Sequence, residues 1–378
     1  MTEVFDSDVE SRPPPDGPDS PHDGPGGGDG GTRPVRPERV RRGLVRRPST
    51  RAAGLIVLAG VLFLVLLASV AYGAKPMALS SVFDAFLNYD PTSNDHLIVR
   101  SLRVPRTIVG ILVAISLGLA GAVMQGVTRN PIADPGILGV NAGAAMFVVA
   151  GIYLFGVTSL LGYVWFAFAG AALASFVVYF LGSLGRGGAT PVKLALAGAA
   201  VTAMLASVTR AILLIDVATL DQYRFWAVGS LAGRDTEIAV QVAPFVVIGS
   251  VLALASGRVL NALALGDDVA ASLGQRVGLA RFSSALSVVF LCGAATAAAG
   301  PIGFVGLTIP HVARSITGPD YRWILPYSMV LAPILLLGSD VIGRVVARPG
   351  ELQVGIVTAL IGAPFFVMLV RRRKLAEL

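Results

Sequence analysis

The sequence predicts an all-α, polytopic membrane protein with about ten transmembrane helices, several short or broken, and both termini cytoplasmic. Three observations lead there. The 378 residues are 54% hydrophobic and only 14% charged, with a mean hydropathy of +0.73, whereas soluble domains carry about 25% charged residues. Apolar stretches near the roughly 20 residues that a spanning helix needs follow one another from residue 52 onward. The net charge of +7 comes mostly from basic residues at the chain ends, not from one basic face. A soluble enzyme, a nucleic-acid binder and a disordered scaffold all fit this combination poorly. The lone cysteine, Cys292, excludes an internal disulfide, and with three histidines no Cys/His zinc spacing occurs.

Residues 1–51 form a separate zone. They hold Pro13-Pro14-Pro15 and a Gly-rich run from Gly24 to Gly31, so they have almost no apolar surface to bury and are expected to be disordered. Their second half is basic, with Arg33, Arg36, Arg39, Arg41, Arg42, Arg46, Arg47 and Arg51. Ala52–Tyr72 is longer than the apolar core of a signal peptide, so a cytoplasmic tail with a basic collar is the expectation. Residues 52–378 form the helical domain. Its spans are predicted near 52–72, 104–127, 139–155, 162–181, 192–215, 238–256, 282–300, 302–316, 323–342 and 355–370. The eighth and tenth are short, and Gly300-Pro301 breaks the chain before the eighth. Such half-helices are tolerated only where protein or a water-filled cavity surrounds them.

Charge then chooses the side. Nine arginines precede the first span and Arg371-Arg372-Arg373-Lys374 follow the last, which places both ends in the cytoplasm. Parity distributes the loops, and 21 of the 30 basic residues fall inside. The exceptions cluster outside: Arg100, Arg103 and Arg106 before the second span, Arg344 and Arg348 after the ninth.

Several chemistries are missing. A P-loop needs Gly-Lys-Ser/Thr, yet the only lysines are Lys75, Lys193 and Lys374 and none follows a glycine. An ion-coupled carrier usually places acids within its spans, but Asp216 and Asp340 lie near segment ends or in short polar patches. His311 follows Pro310 at a helix bend, where packing or hydrogen bonding is the simpler role. No catalytic triad or metal-ligand constellation is apparent. The chain reads as a conduit without its own engine.

The long loop 257–281 reads as two short helices separated and ended by Gly266 and Gly274. On composition alone it is an amphipathic elbow packed on its own protein. Its wording, Leu263-Ala264-Leu265-Gly266-Asp267 followed by Ala271 and Leu273-Gly274, resembles a coupling-helix signature. Three further blocks occur in the same order. They are Arg103-Val104-Pro105-Arg106 with Gly121-Ala122-Val123-Met124-Gln125 and Arg129-Asn130-Pro131-Ile132-Ala133-Asp134-Pro135; Gly300-Pro301-Ile302-Gly303-Phe304 through Pro310-His311; and Asp340, Arg344, Gly350-Glu351-Leu352 with Gly362-Ala363-Pro364. Over residues 52–374 the chain thereby resembles the permeases of ABC importers for ferric siderophores, haem and cobalamin. The tail lies outside the resemblance.

The resemblance implies ten helices and a multi-pass cell-membrane location. Its implied partners are a second permease subunit, identical or paralogous, two cytoplasmic ATPase subunits and an extracytoplasmic substrate-binding protein. This chain would carry no cofactor and no resident metal; ATP and magnesium would belong to the ATPase, and nucleic acid would play no part. By matching positions, Arg103, Arg106 and Arg344 would receive glutamates of the binding protein, snorkelling to lipid headgroups being the competing use. Leu265, Gly266, Asp267, Ala271, Leu273 and Gly274 would couple to the ATPase. Asn130 and Ile132, with Thr190 and Pro191, would help close the inner end of the path, although ordinary Pro turns explain them nearly as well. The substrate expected first is a ferric siderophore complex, with cobalamin or haem next. An ion-coupled secondary transporter is the competing class, and a membrane enzyme the third.

Overall fold

In the computed structural model, residues 47–185 and 190–374 are described, and every regular element among them is helical. The tail expected to be disordered lies outside the described residues up to position 46, as does the loop residue Arg186. Helix α1 (Pro48–Ala71) begins inside the zone assigned to the tail, with Pro48 in its first turn, where a missing N–H costs nothing. Next come α2 (Leu79–Leu87) and α3 (Asn94–Leu97), the latter running through a π-helical stretch, Ile98–Arg103, into α4 (Val104–Thr128). A 3-10 turn at Pro135–Leu138 precedes α5 (Val140–Phe155) and α6 (Leu160–Ser183). The chain continues through α7 (Pro191–Ile215), α8 (Val217–Ala227), α9 (Thr236–Ala255), α10 (Gly257–Leu263) and α11 (Asp267–Ser272). It ends in α12 (Val277–Ala299), α13 (Val305–Thr317), α14 (Tyr321–Val346) and α15 (Val354–Lys374).

A helix stands at each position predicted as a span. Seven of the described helices are long and apolar enough to cross a membrane: α1, the α3–α4 rod, α6, α7, α9, α12 and α14. Helices α5 and α13 are shorter, with 16 and 13 residues, as is the apolar part of α15. Local signals set the starts. Thr190 accepts the Lys193 N–H ahead of Pro191, Asp235 accepts that of Ile238, and Asp320 that of Arg322. Helices α2 and α8 fall outside the predicted spans: both are too short to register as apolar runs, and α8 is also polar. Asp216 caps α8 by accepting the Thr219 N–H at 3.0 Å.

Helix α4 is the axle. Its most apolar stretch is 78% buried, against 6% for α1 and 17% for α7, and it packs on α9, α12, α13 and α14. Lipid tails are as apolar as leucine, so close packing of small residues must hold helices together. Gly118 of α4 lies against the Ala332 methyl and the Ser328 carbonyl, and Gly121 against the Gly306 carbonyl.

The break between α12 and α13 is built from backbone geometry. Gly300 takes φ +76° and Phe304 φ +68°, and α13 starts beside the middle of α4. Pro310 inside α13 has no N–H to give the carbonyl four residues earlier. That carbonyl belongs to Gly306, and Gln125 of α4 donates to it at 3.4 Å and to Leu307 O at 3.2 Å. In an apolar surrounding, such a replacement donor is what makes the interrupted helix tolerable.

Candidate functional site

Two charged clusters sit at opposite ends of α4. At its C-terminal end stands the elbow, and the expected pair of short helices is α10 and α11. Gly266 (φ +111°) and Gly274 (φ +81°) make the turns in a region that side chains rarely adopt. Leu260, Leu263 and Ala270 are buried under the elbow. Leu265 (64% exposed), Leu273 (60%) and Val269 face outward, with Ala271 also exposed.

The elbow is braced by ion pairs. Asp267 Oδ2 accepts from Arg281 Nη2 at 2.7 Å, and Asp267 Oδ1 lies 3.3 Å from Arg129 Nη2. Asn261 of α10 donates to Asp320 Oδ1 at 2.7 Å and accepts the Tyr321 N–H at 2.8 Å, tying the elbow to the start of α14. Burial raises the pKa of Asp320, but the hydrogen bonds from Arg322 and Asn261 outweigh it and hold the carboxyl at about 2.

At the other end of α4, the arginines expected to face outward turn inward. Arg103 is 5% exposed and donates to the carbonyls of Val70, Ala71 and Lys75. Arg344 donates to Ser69 O at 3.0 Å, and Arg348 to Gly73 O at 2.8 Å. Three arginines thus supply donors to the carbonyls at the end of α1 and just beyond it, groups a helix cannot satisfy by itself, and their charge complements the helix dipole. The arginines of this cluster have a role within the chain, whichever side of the membrane they face. Of the residues expected to dock a binding protein, Arg103 and Arg344 have their guanidiniums held by these carbonyls and, for Arg344, by Asp340.

Arg106 differs. Its Nη2 and Nε donate to the two oxygens of Asp340 at 2.7 and 3.1 Å, and its Nη1 to Glu351 Oε2 at 2.7 Å. Asp340, fully buried, also pairs with Arg344 at 3.0 Å. Asp340 is therefore the hub of α4 and α14, while the Glu351 side chain keeps 31% of its surface exposed. Both acids lie in the C-terminal motif, whose order of residues does not show that Asp340 is the hub. The available signal was a carboxylate within an otherwise apolar run.

The four expected gate residues have local tasks. Asn130 Oδ1 accepts the Ile132 N–H at 3.1 Å in an Asx turn, Thr190 caps α7 and Pro191 opens it. Ile132 and Asn130 are exposed, while Thr190 and Pro191 are half-buried. Among the described residues, no group of three His, Cys, Asp or Glu side chains could hold a metal ion. His311 packs edge-on against the Phe365 ring at 6.3 Å between centroids.

Residues 61–372 match the FecCD transport family. The chain belongs to that family. Among FecCD relatives, the Escherichia coli ferric enterobactin transport system permease FepD is 47% identical over 321 residues, 84% of this chain and 96% of FepD. The Bacillus subtilis Fe(3+)-citrate import system permease YfmD is 42% identical across 86% of this chain and 97% of its own. The Yersinia pestis hemin transport system permease HmuU is 34% identical, covering 82% and 94%. A solved ABC transporter described as of metal-chelate type, in an inward-facing conformation, superposes with a TM-score of 0.75 at 26% identity, over 85% of this chain and 99% of that one. The FecCD match takes in both charged clusters and leaves the N-terminal tail outside.

Proposed function

We propose that this chain is the transmembrane permease subunit of an ATP-driven importer that moves a ferric siderophore complex into the cytoplasm. It would cross the membrane ten times, with both termini and the elbow on the cytoplasmic side. Two such permeases, identical or paralogous, would assemble with two ATPase subunits and an extracytoplasmic binding protein. The observation that carries this reading is the outward apolar face of Leu265, Val269 and Leu273 on an ion-braced elbow. An ATPase groove that accepts those side chains would supply the hydrolysis for which this chain has no P-loop.

Docking of the binding protein would occur at the arginine end, through Arg106. A partner carboxylate arriving there competes with Glu351, the more exposed of its two acidic partners, while Arg103 and Arg344 hold the seat in shape from beneath. A haem or cobalamin cargo is the second reading, favoured by the likeness to the hemin permease.

The test is uptake into proteoliposomes holding permease, ATPase and binding protein. Uptake of a ferric siderophore that requires ATP and ignores an imposed ion gradient is expected. Uptake driven by the gradient without ATP would overturn the importer reading. Competition among ferric enterobactin, ferric citrate, haem and cobalamin would then decide the cargo.

A further inference from the structure

The elbow is joined covalently to α9 and α12, yet its acid reaches a third helix. Asp267 stands in the first turn of α11. One of its oxygens accepts from Arg281 in the first turns of α12, and the other, which accepts no hydrogen bond, lies 3.3 Å from Arg129, the residue immediately after α4. Arg129 adopts φ +53°, a region that residues with a Cβ rarely enter. Of the described residues with a Cβ, Phe304 alone shares a positive φ. Glycine would fit that backbone with less strain, so the position is one where the side chain is worth keeping. The turned backbone sets the guanidinium against α11, where its Nη1 also lies beside Gly266.

The Arg129–Asp267 pair contributes little to stability. Its two side chains are 38% and 39% exposed, and exposed pairs are screened by water and salt. A rod of 25 residues does lie behind it, however, roughly 37 Å long at 1.5 Å per residue. At the far end of that rod is Arg106, fixed to Asp340 and Glu351.

We infer that the Arg129–Asp267 ion pair is the non-covalent arm through which movement of the elbow reaches α4, making Arg129 a positioning residue for coupling. When the ATPase shifts α11, Asp267 pulls on the end of α4 as well as on α12 through Arg281. The axle then moves with the elbow and changes the load on Arg106 at the opposite face. This rests on the proposed coupling role of the elbow and adds the helix that receives the motion. Spatial continuity alone does not establish coupling, so a double-mutant cycle is the decisive measurement.

The experiment uses the assembled transporter in proteoliposomes and reads ferric siderophore imported per ATP hydrolysed. Arg129→Gln and Asp267→Asn are each expected to lower that ratio by about tenfold, within the usual range of coupling effects, and Arg129→Gln to do so with the ATPase co-purifying in normal amount. The double variant should be no worse than Asp267→Asn alone, and Arg129→Lys should recover most of the loss. Single effects that multiply in the double variant, or an unchanged ratio in Arg129→Gln, would overturn the arm. Leu273→Glu separates the two readings. Release of the ATPase by Leu273→Glu with a normal ratio in Arg129→Gln sinks only the arm; a bound and coupled ATPase in Leu273→Glu sinks the elbow reading itself.

Discussion

Asp340 shows how much one buried charge can hold. Its carboxylate is enclosed between Arg106 and Arg344, whose side chains are 12% and 3% exposed. Asp340→Asn leaves Arg344 without its carboxylate partner and Arg106 with Glu351 alone. Removing one member of a buried pair costs about 3–5 kcal/mol, and thermal unfolding in detergent should register a loss of that order. Glu351→Gln, at the exposed edge of the same cluster, should cost under about 1 kcal/mol. Asp320 gives a pH-dependent counterpart at the elbow end. Its carboxyl is depressed from 3.8 to about 2 in the folded chain, so its stabilisation is complete above the ordinary carboxylate pKa and is lost as pH falls through about 2. The stability gap between wild type and Asp320→Ala should therefore be constant above pH 5 and shrink between pH 4 and 2.

At the scale of elements, the joint between α4 and α13 is the informative one. Gln125 supplies the donor that Pro310 withholds from Gly306. Gln125→Leu keeps the volume and removes the donor, which leaves a buried carbonyl unpaired. The expected cost is about 1–3 kcal/mol, with faster hydrogen exchange in α13 than in α14. Exchange in α13 equal in Gln125→Leu and the wild type would show that the carbonyl finds another donor. The positions of the ten apolar helices were legible because each depends on its own composition. Helices α2 and α8 were not, since their nine and eleven residues carry no long apolar run. Asp216 followed by Thr219 was the one local cue for α8, a helix start written as a cap.

For the whole molecule, the proposed topology can be checked directly because Cys292 is the single cysteine and is buried. Leu273→Cys should react with a membrane-impermeant maleimide only after the cells are opened. Thr92→Cys, in the exposed loop between α2 and α3, should react in intact cells. Labelling of both positions from one side would reverse the parity on which the assignment of ends rests.

The sequence by itself determined the membrane class, the positions of the apolar helices, the elbow with its two glycines and the family. These follow from apolar length, backbone-special residues and short motifs, all of which are local. Only the tertiary structure decided what the charges do. Arg106 meets Asp340 and Glu351 from 234 and 245 residues away, and Arg103 turns from the surface to the last carbonyls of α1. An arginine chooses among lipid headgroup, partner and interior by which acceptors packing brings within about 3 Å, and the distances between helices that settle this are written nowhere in the order of residues.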